Sequence, residues 1–425
     1  MRYLCEKSRL TGAVDVPGSK SHTIRAVVIA SLAAGDSRII APLESADTLA
    51  AVHAYRALGA QIDVQPGLWQ VRGTAGRITA PDAPIDVANS GTTMNMALGS
   101  AALLREGAVT LTGDEQVQRR PVGALVASLV DLGATVTCVR VSGRPPVLVG
   151  PRLRGGRTSI EAVSSQFLSS LLINCPLADG DTDIDVPLLN EAPYVHITLS
   201  WLDRCGIKYQ REQLRHFHIP SRQSYRGFDI RVPADFSSAT FFLAAGALGD
   251  NEILVRGLDM TDPQGDKQVI DYLQRMGANV QITDEGVRVL PGALRGCELD
   301  LNATPDALPM LAALACFAEG TTRLVNVPQA RIKETDRIAV MASELAKMGA
   351  KITELKDGLV IQHSELKPAH VSGHGDHRVV MAIAVAGCMI ESGTRIDTAE
   401  AVAVTFPTFA ACMHALGAGL TAEDS

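Results

Sequence analysis

The chain has 425 residues, 46% of them hydrophobic and 4% aromatic, with 39 Lys and Arg against 46 Asp and Glu for a net charge of -7. That length can hold two domains with full cores, and the acidic balance argues against nucleic acid as a partner. No apolar run reaches membrane-spanning length and no charged-then-apolar leader opens the sequence, so no membrane is expected and the expected setting is cytoplasmic.

The first strand-like stretch is Gly12-Ala13-Val14-Asp15-Val16, and Gly18-Ser19-Lys20-Ser21 then precedes an apolar run over 26–34. From Thr48 to Leu58 the sequence is amphipathic at helical spacing. Leu58-Gly59-Ala60 ends that run, because a glycine just past the last turn takes the left-handed conformation that stops a helix. The alternation of Gln61-Ile62-Asp63-Val64 then predicts a strand. The same signature returns as Leu132-Gly133-Ala134, Cys205-Gly206-Ile207, Met276-Gly277-Ala278, Met348-Gly349-Ala350 and Leu416-Gly417-Ala418. The glycines stand 74, 73, 71, 72 and 68 residues apart, so one repeat fills the whole chain. An alternating run follows the first five.

A second register runs alongside the first. Polar clusters at Asn89-Ser90-Gly91-Thr92-Thr93, Ser164-Ser165-Gln166, Asp235-Phe236-Ser237-Ser238, Thr304-Pro305-Asp306 and Gly375-Asp376-His377-Arg378 each precede a helix-length run that is apolar on nearly every side. With Gly18-Ser19-Lys20-Ser21 they predict six buried helices with polar N-termini. Helix N-termini carry unpaired N–H donors and partial positive charge, so several aimed at one place would bind polyanions. A domain junction is expected near Asp229-Ile230-Arg231-Val232-Pro233, halfway through the repeats.

Four segments bring cations and carboxylates together. Lys20 stands at a helix start with Arg25 beyond it. Arg119-Arg120 precede a helix for which Pro121 suits the first position. Arg331-Ile332-Lys333-Glu334-Thr335-Asp336-Arg337 packs three cations and two acids into seven residues, which by itself reads as a solvated helix face. Asp376-His377-Arg378 adds one more Arg at a cap. Eight cysteines form no Cys-x-x-Cys pair and read as buried reduced thiols. His374-x-x-His377 and His216-x-His218 lack further ligands at suitable spacing, so neither a metal nor another cofactor is expected.

Pro17-Gly18-Ser19-Lys20-Ser21, Asn89-Ser90-Gly91-Thr92, Leu111-Thr112-Gly113 with Arg120-Pro121, Ser164-Ser165-Gln166, Pro305-Asp306, Lys333-Glu334-Thr335-Asp336-Arg337 and Asp376-His377-Arg378 together resemble the 5-enolpyruvylshikimate-3-phosphate synthase family of enolpyruvyl transferases. The resemblance implies a two-domain inside-out α/β barrel of six βαβαββ repeats, three per domain, with the active site in the interdomain cleft. The expected division is residues 1–16 with 232–425 for one domain and 17–231 for the other. The implied reaction moves the carboxyvinyl group of phosphoenolpyruvate to the 5-hydroxyl of shikimate 3-phosphate and releases phosphate. Glyphosate is implied as a competitor at the phosphoenolpyruvate subsite, close to Gly91. A monomer with small-molecule substrates is expected.

By the same resemblance, Lys20, Ser21, Arg25, Ser164, Ser165, Gln166, Asp306 and Lys333 hold shikimate 3-phosphate. Lys20, Asn89, Gly91, Arg120, Gln166, Arg337 and Arg378 hold phosphoenolpyruvate. Asp306 takes the 5-hydroxyl proton, Glu334 exchanges the proton at C3, and Lys20 and Lys333 complete the catalytic set. The sequence departs from the family at Val404, where a Lys is usual, and at Glu191-Ala192, where a Ser usually holds the phosphate. Asn95 and Met96 stand for the usual Arg and Pro, and Gln329 for a common Asn. These departures keep open a carboxyvinyltransferase of specialised metabolism acting on another alcohol. UDP-N-acetylglucosamine carboxyvinyltransferases share the fold but typically carry a loop Cys, which 111–121 lacks.

Overall fold

All six helix-ending glycines take a positive φ, between 71° and 105°, in the computed structural model, which describes residues 1–424. Each closes its helix in the same way. The glycine N–H donates to the carbonyl three residues back and the next N–H to the carbonyl five back, as in Gly59 to Arg56 and Ala60 to Tyr55, both 3.0 Å. The helices so ended are Ala46–Ala57, Gly123–Asp131, Ala192–Arg204, Val269–Arg275, Arg337–Lys347 and Phe409–Ala415. A strand follows every one, including the sixth, Gly419–Glu423. That strand buries Leu420 alone, so it shows no alternation, and it is held instead by pairing with Arg2–Glu6. After the third glycine the strand is delayed to Gln210–Glu212, whose residues are all exposed.

The strands form six four-stranded sheets with one shared order. Ile85–Asp86 lies parallel to Val109–Thr112, which runs antiparallel to Val147–Val149, which is antiparallel to Val136–Cys138. The parallel pair needs a crossover long enough to return the chain, and the buried helix supplies it. Two sheets borrow their first strand from elsewhere in the sequence: Thr11–Asp15 pairs with Glu252–Arg256, and Asp229–Arg231 with Asp36–Ile40. Arg2–Glu6 supplies the third strand of the last sheet, between Thr394–Asp397 and Gly419–Glu423. The α/β repeat architecture is therefore sixfold, and two of its seams are closed by the N-terminal strands. The chain separates into two compact units, Met1–Pro17 with Pro233–Ser425 and Gly18–Val232, with three sheets and one apolar core in each.

The six buried helices are Lys20–Leu32, Gly91–Ala101, Ser165–Asn174, Phe236–Gly246, Leu308–Ala315 and His377–Cys388. Every residue of Gly91–Ala101 and of Phe236–Gly246 is buried. Side chains cap four of them: Ser90 accepts from Thr93 N–H, Ser164 from Gln166, Asp235 from Ser238 and Asp376 from Arg378. Ser19 makes no such bond, and the fifth helix enters through a 3₁₀ turn at Pro305–Ala307. Among the described residues no helix is long and apolar enough to cross a membrane.

Candidate active site

Three buried helices of the unit Gly18–Val232 are laced together at their N-terminal ends. Gln166 Nε2 donates to Thr92 Oγ1 at 3.0 Å, and Asn95 Nδ2 donates to Gln166 Oε1 at 2.7 Å and to the Gly91 carbonyl at 3.0 Å. Arg25, 1% exposed, reaches Thr198 Oγ1 at 2.9 Å, Ser169 Oγ at 3.3 Å and the carbonyls of Tyr194 and Ser21. Burial pulls its pKa down to about 10. Lys20 opens the first helix with its Nζ 3.1 Å from Asp47 Oδ2. Asn89 Nδ2 donates to Asp114 Oδ2 at 2.6 Å and to Gln116 Oε1 at 2.9 Å. The Arg120 guanidinium lies over Gly91, in the space a Cβ would fill. Ser164 caps its helix, and Ser165 donates to the Glu191 carboxylate. Lys20, Ser21, Arg25, Asn89, Gly91, Arg120, Ser164, Ser165 and Gln166 thus all stand at or beside these helix starts.

The other unit gathers the acids. Arg337, 1% exposed, sits among three carboxylates: Asp306 Oδ1 at 2.8 Å, Glu334 Oε2 at 2.6 Å and Asp376 Oδ2 at 2.8 Å. Arg378 Nη2 holds the other Asp306 oxygen at 2.8 Å. Burial acts to lower the pKa of Arg337, but attraction from Asp376, Glu334 and Asp306 outweighs it and the net shift is upward. The Asp376 carboxyl shows the converse: burial works to raise its pKa, and the neighbouring Arg337 pulls it below the usual value. Three sequence segments meet here because Asp306 starts one helix, Asp376 caps another, and Arg337 begins a third.

Residues 331–337 are not a solvated helix face. Pro328–Ile332 is a 3₁₀ turn, Lys333 and Glu334 lie in the loop after it, and Asp336 caps the helix by accepting from Ala339 N–H at 3.0 Å. Pro121 is likewise not at a first helical position. A short helix, Glu115–Arg119, intervenes, and the next begins at Gly123. The sequence places Asp376 at a helix cap, as found, but gives no site role to it or to Asp47. The signal at Asp47 is an acid in the first turn of Ala46–Ala57, and at Asp376 its N-cap position. The His pairs are taken up by acids: His216 and His218 bond Asp185 and Asp183, and His374 bonds Glu344. Among the described residues no group of three His, Cys, Asp or Glu is arranged to hold a metal ion.

The family model for EPSP synthase (3-phosphoshikimate 1-carboxyvinyltransferase) matches residues 4–413. The chain belongs to the EPSP synthase family. It is 51% identical over 98% of its length to the 3-phosphoshikimate 1-carboxyvinyltransferase of Acetivibrio thermocellus, 98% of which is covered. It is 44% identical to that of Methanocella arvoryzae, with 97% of this chain and 98% of the relative covered. Solved EPSP synthase from Acinetobacter baumannii superposes with a TM-score of 0.80 at 26% identity, covering 99% of this chain and all of that one.

Several family departures have a visible structural place. Asn95 supplies the hydrogen bonds to Gly91 and Gln166, and Gln329 donates to the Asn302 carbonyl at 2.9 Å. Met96 is wholly buried and packs in the core. Val404 lies in the 3₁₀ segment Ala399–Val404. At Gly91 the neighbour is Arg120 rather than empty space. A methyl group there would displace the Arg120 guanidinium, the mobile end of a long side chain. Gly91→Ala should therefore raise the KM for phosphoenolpyruvate by about tenfold, as expected for moving one charge-assisted contact. Steady-state kinetics with phosphoenolpyruvate varied checks this, and an unchanged KM would separate Gly91 from Arg120.

The loop before Asp376 is fixed by a buried acid. Glu344 accepts from Lys347 Nζ at 2.7 Å, His374 Nε2 at 2.9 Å and the Ser372 N–H at 2.9 Å. Burial pushes its pKa up, but these bonds, with His374 the largest, bring the net value below the ordinary one. Because the folded carboxyl binds its proton less readily than the unfolded one, its stabilisation is complete above the unfolded value and fades as pH falls through the folded one. Glu344→Gln should cost roughly 1–3 kcal/mol at neutral pH. Denaturant melts should show that difference shrinking in strongly acidic buffer.

Proposed function

We propose that this chain transfers the carboxyvinyl group of phosphoenolpyruvate to the 5-hydroxyl of shikimate 3-phosphate, releasing inorganic phosphate, in the biosynthetic route to chorismate and the aromatic amino acids. The observation that carries the reading is the Arg337 cluster, in which two guanidinium groups and three carboxylates share one buried network. An arginine surrounded by internal carboxylates is a place where an anionic substrate can exchange with an internal acid. As the phosphoenolpyruvate carboxylate and phosphate engage Arg337 and Arg378, Asp306 and Glu334 lose their cationic partners and become stronger bases.

The proton steps follow from that exchange. Asp306 takes the proton of the 5-hydroxyl as its oxygen bonds to C2, and Glu334, carrying a proton, delivers it to C3. The C2–phosphate oxygen bond then breaks as the proton taken by Asp306 passes to the departing phosphate, and the C3 proton returns to Glu334 as the enol ether forms. Lys20 and Lys333 offset the charge that gathers between two anionic substrates. Ser164, Ser165 and Gln166 hold the acceptor phosphate at the start of their helix, with Ser21 and Arg25 beside them. Asn89, Gly91, Arg120 and Gln166 serve phosphoenolpyruvate.

The reading includes a monomeric, cytoplasmic enzyme whose partners are these two small molecules. Its test is an acceptor panel read by mass spectrometry with phosphoenolpyruvate as donor. Shikimate 3-phosphate should gain the carboxyvinyl mass, and UDP-N-acetylglucosamine should not. Transfer to another alcohol in preference would move the chain to specialised metabolism.

A further inference from the structure

We propose that Glu191 is a built-in anion that competes for the phosphate seat and sets how tightly the acceptor phosphate binds. The inference rests on the assignment of Ser164, Ser165 and Gln166 to that phosphate. Glu191 is 1% exposed, and its Oε2 accepts from Ser165 Oγ at 2.7 Å and from the Ser165 N–H at 3.2 Å. A helix start with available N–H groups stabilises an anion, and here the chain itself provides one. The donors that hold the carboxylate are the donors a phosphate would need.

The backbone aims the side chain there. Glu191 is the N-cap of Ala192–Arg204, yet its carboxylate does not cap that helix and reaches Ser165 instead, and its φ of 57° and ψ of 41° are left-handed. Such a conformation is uncommon for a long side chain and persists where surrounding contacts hold it. The same turn carries the Tyr194 carbonyl that accepts from Arg25 at 3.1 Å, so the latch and Arg25 share one segment. A dianionic phosphate placed against this carboxylate meets like charge in a poorly solvated site. Binding of the phosphate therefore requires the carboxylate to leave Ser165, and that exchange lowers affinity for phosphorylated acceptors selectively.

Calorimetric titration of the full chain with shikimate 3-phosphate and with shikimate tests this. Glu191→Gln removes the charge at nearly constant shape and should tighten shikimate 3-phosphate by about tenfold, while shikimate affinity stays within about twofold. Glu191→Asn, which tolerates the left-handed backbone and is too short to reach Ser165, should do the same and serves if the Gln variant does not fold. Unchanged or weaker shikimate 3-phosphate binding in a folded variant overturns the latch alone. Equal wild-type affinities for the two ligands would overturn the phosphate seat and the latch together. Failure of the wild type to bind shikimate 3-phosphate would overturn the functional reading as well.

Discussion

Asp306→Asn and Glu334→Gln are each expected to cut turnover by about a hundredfold or more, the usual scale for a positioned proton transfer. The KM for phosphoenolpyruvate should hold or fall. Each substitution removes an internal carboxylate from Arg337, and Asp306→Asn also from Arg378, so those guanidinium groups become more available to the substrate. Steady-state kinetics with both substrates varied separate the outcomes. Near-normal turnover in either variant would remove that residue from the proton pathway. A large rise in KM at constant turnover would make it a binding residue instead.

The second large effect is on stability. Arg337→Met strips the buried guanidinium from Asp306, Glu334 and Asp376 and leaves carboxylates packed together without their shared counter-charge. Removing one partner of a buried ion pair typically costs about 3–5 kcal/mol, and this site should lie in that range. Adding Asp376→Asn in the same chain should recover part of the loss, because the two residues are in direct contact and their effects do not add. Denaturant unfolding of the single and double variants measures both terms. A single-variant loss below about 1 kcal/mol, the scale of an exposed pair, would contradict the buried network.

The repeat was legible because its signal is backbone-driven. A left-handed glycine after a helix is a local requirement, and all six positions meet it without help from distant residues. Buried helices were legible for a similar reason, since residues such as those of Gly91–Ala101 are apolar or small on every side. What escaped were features set by pairing at long range. Gly419–Glu423 has no alternation of its own and becomes a strand only beside Arg2–Glu6, more than four hundred residues away. Pro121 differs for a local reason: the short helix Glu115–Arg119, capped by Asp114, takes the preceding residues, and the next helix begins at Gly123.

The site divides in the same way. The cation and acid types in 331–337 suggested chemistry, but their local spacing suggested a solvated helix face. Only the approach of Asp306 and Asp376 to Arg337 distinguishes a buried network from surface charge. Asp47 was passed over for the same reason, since its meaning lies in Lys20, 27 positions earlier. Glu191 could be read from sequence as an acid where a hydroxyl is usual. Its direct bond to Ser165 is a property of the folded turn.

A continuous assay for inorganic phosphate shows whether one chain joins these two substrates with loss of phosphate. With phosphoenolpyruvate alone, the purified chain should release phosphate at no more than the blank rate. Adding shikimate 3-phosphate should start release at one phosphate per acceptor consumed, and shikimate without its 3-phosphate should not substitute. No release with both substrates present, or release that is independent of the acceptor, would contradict the account.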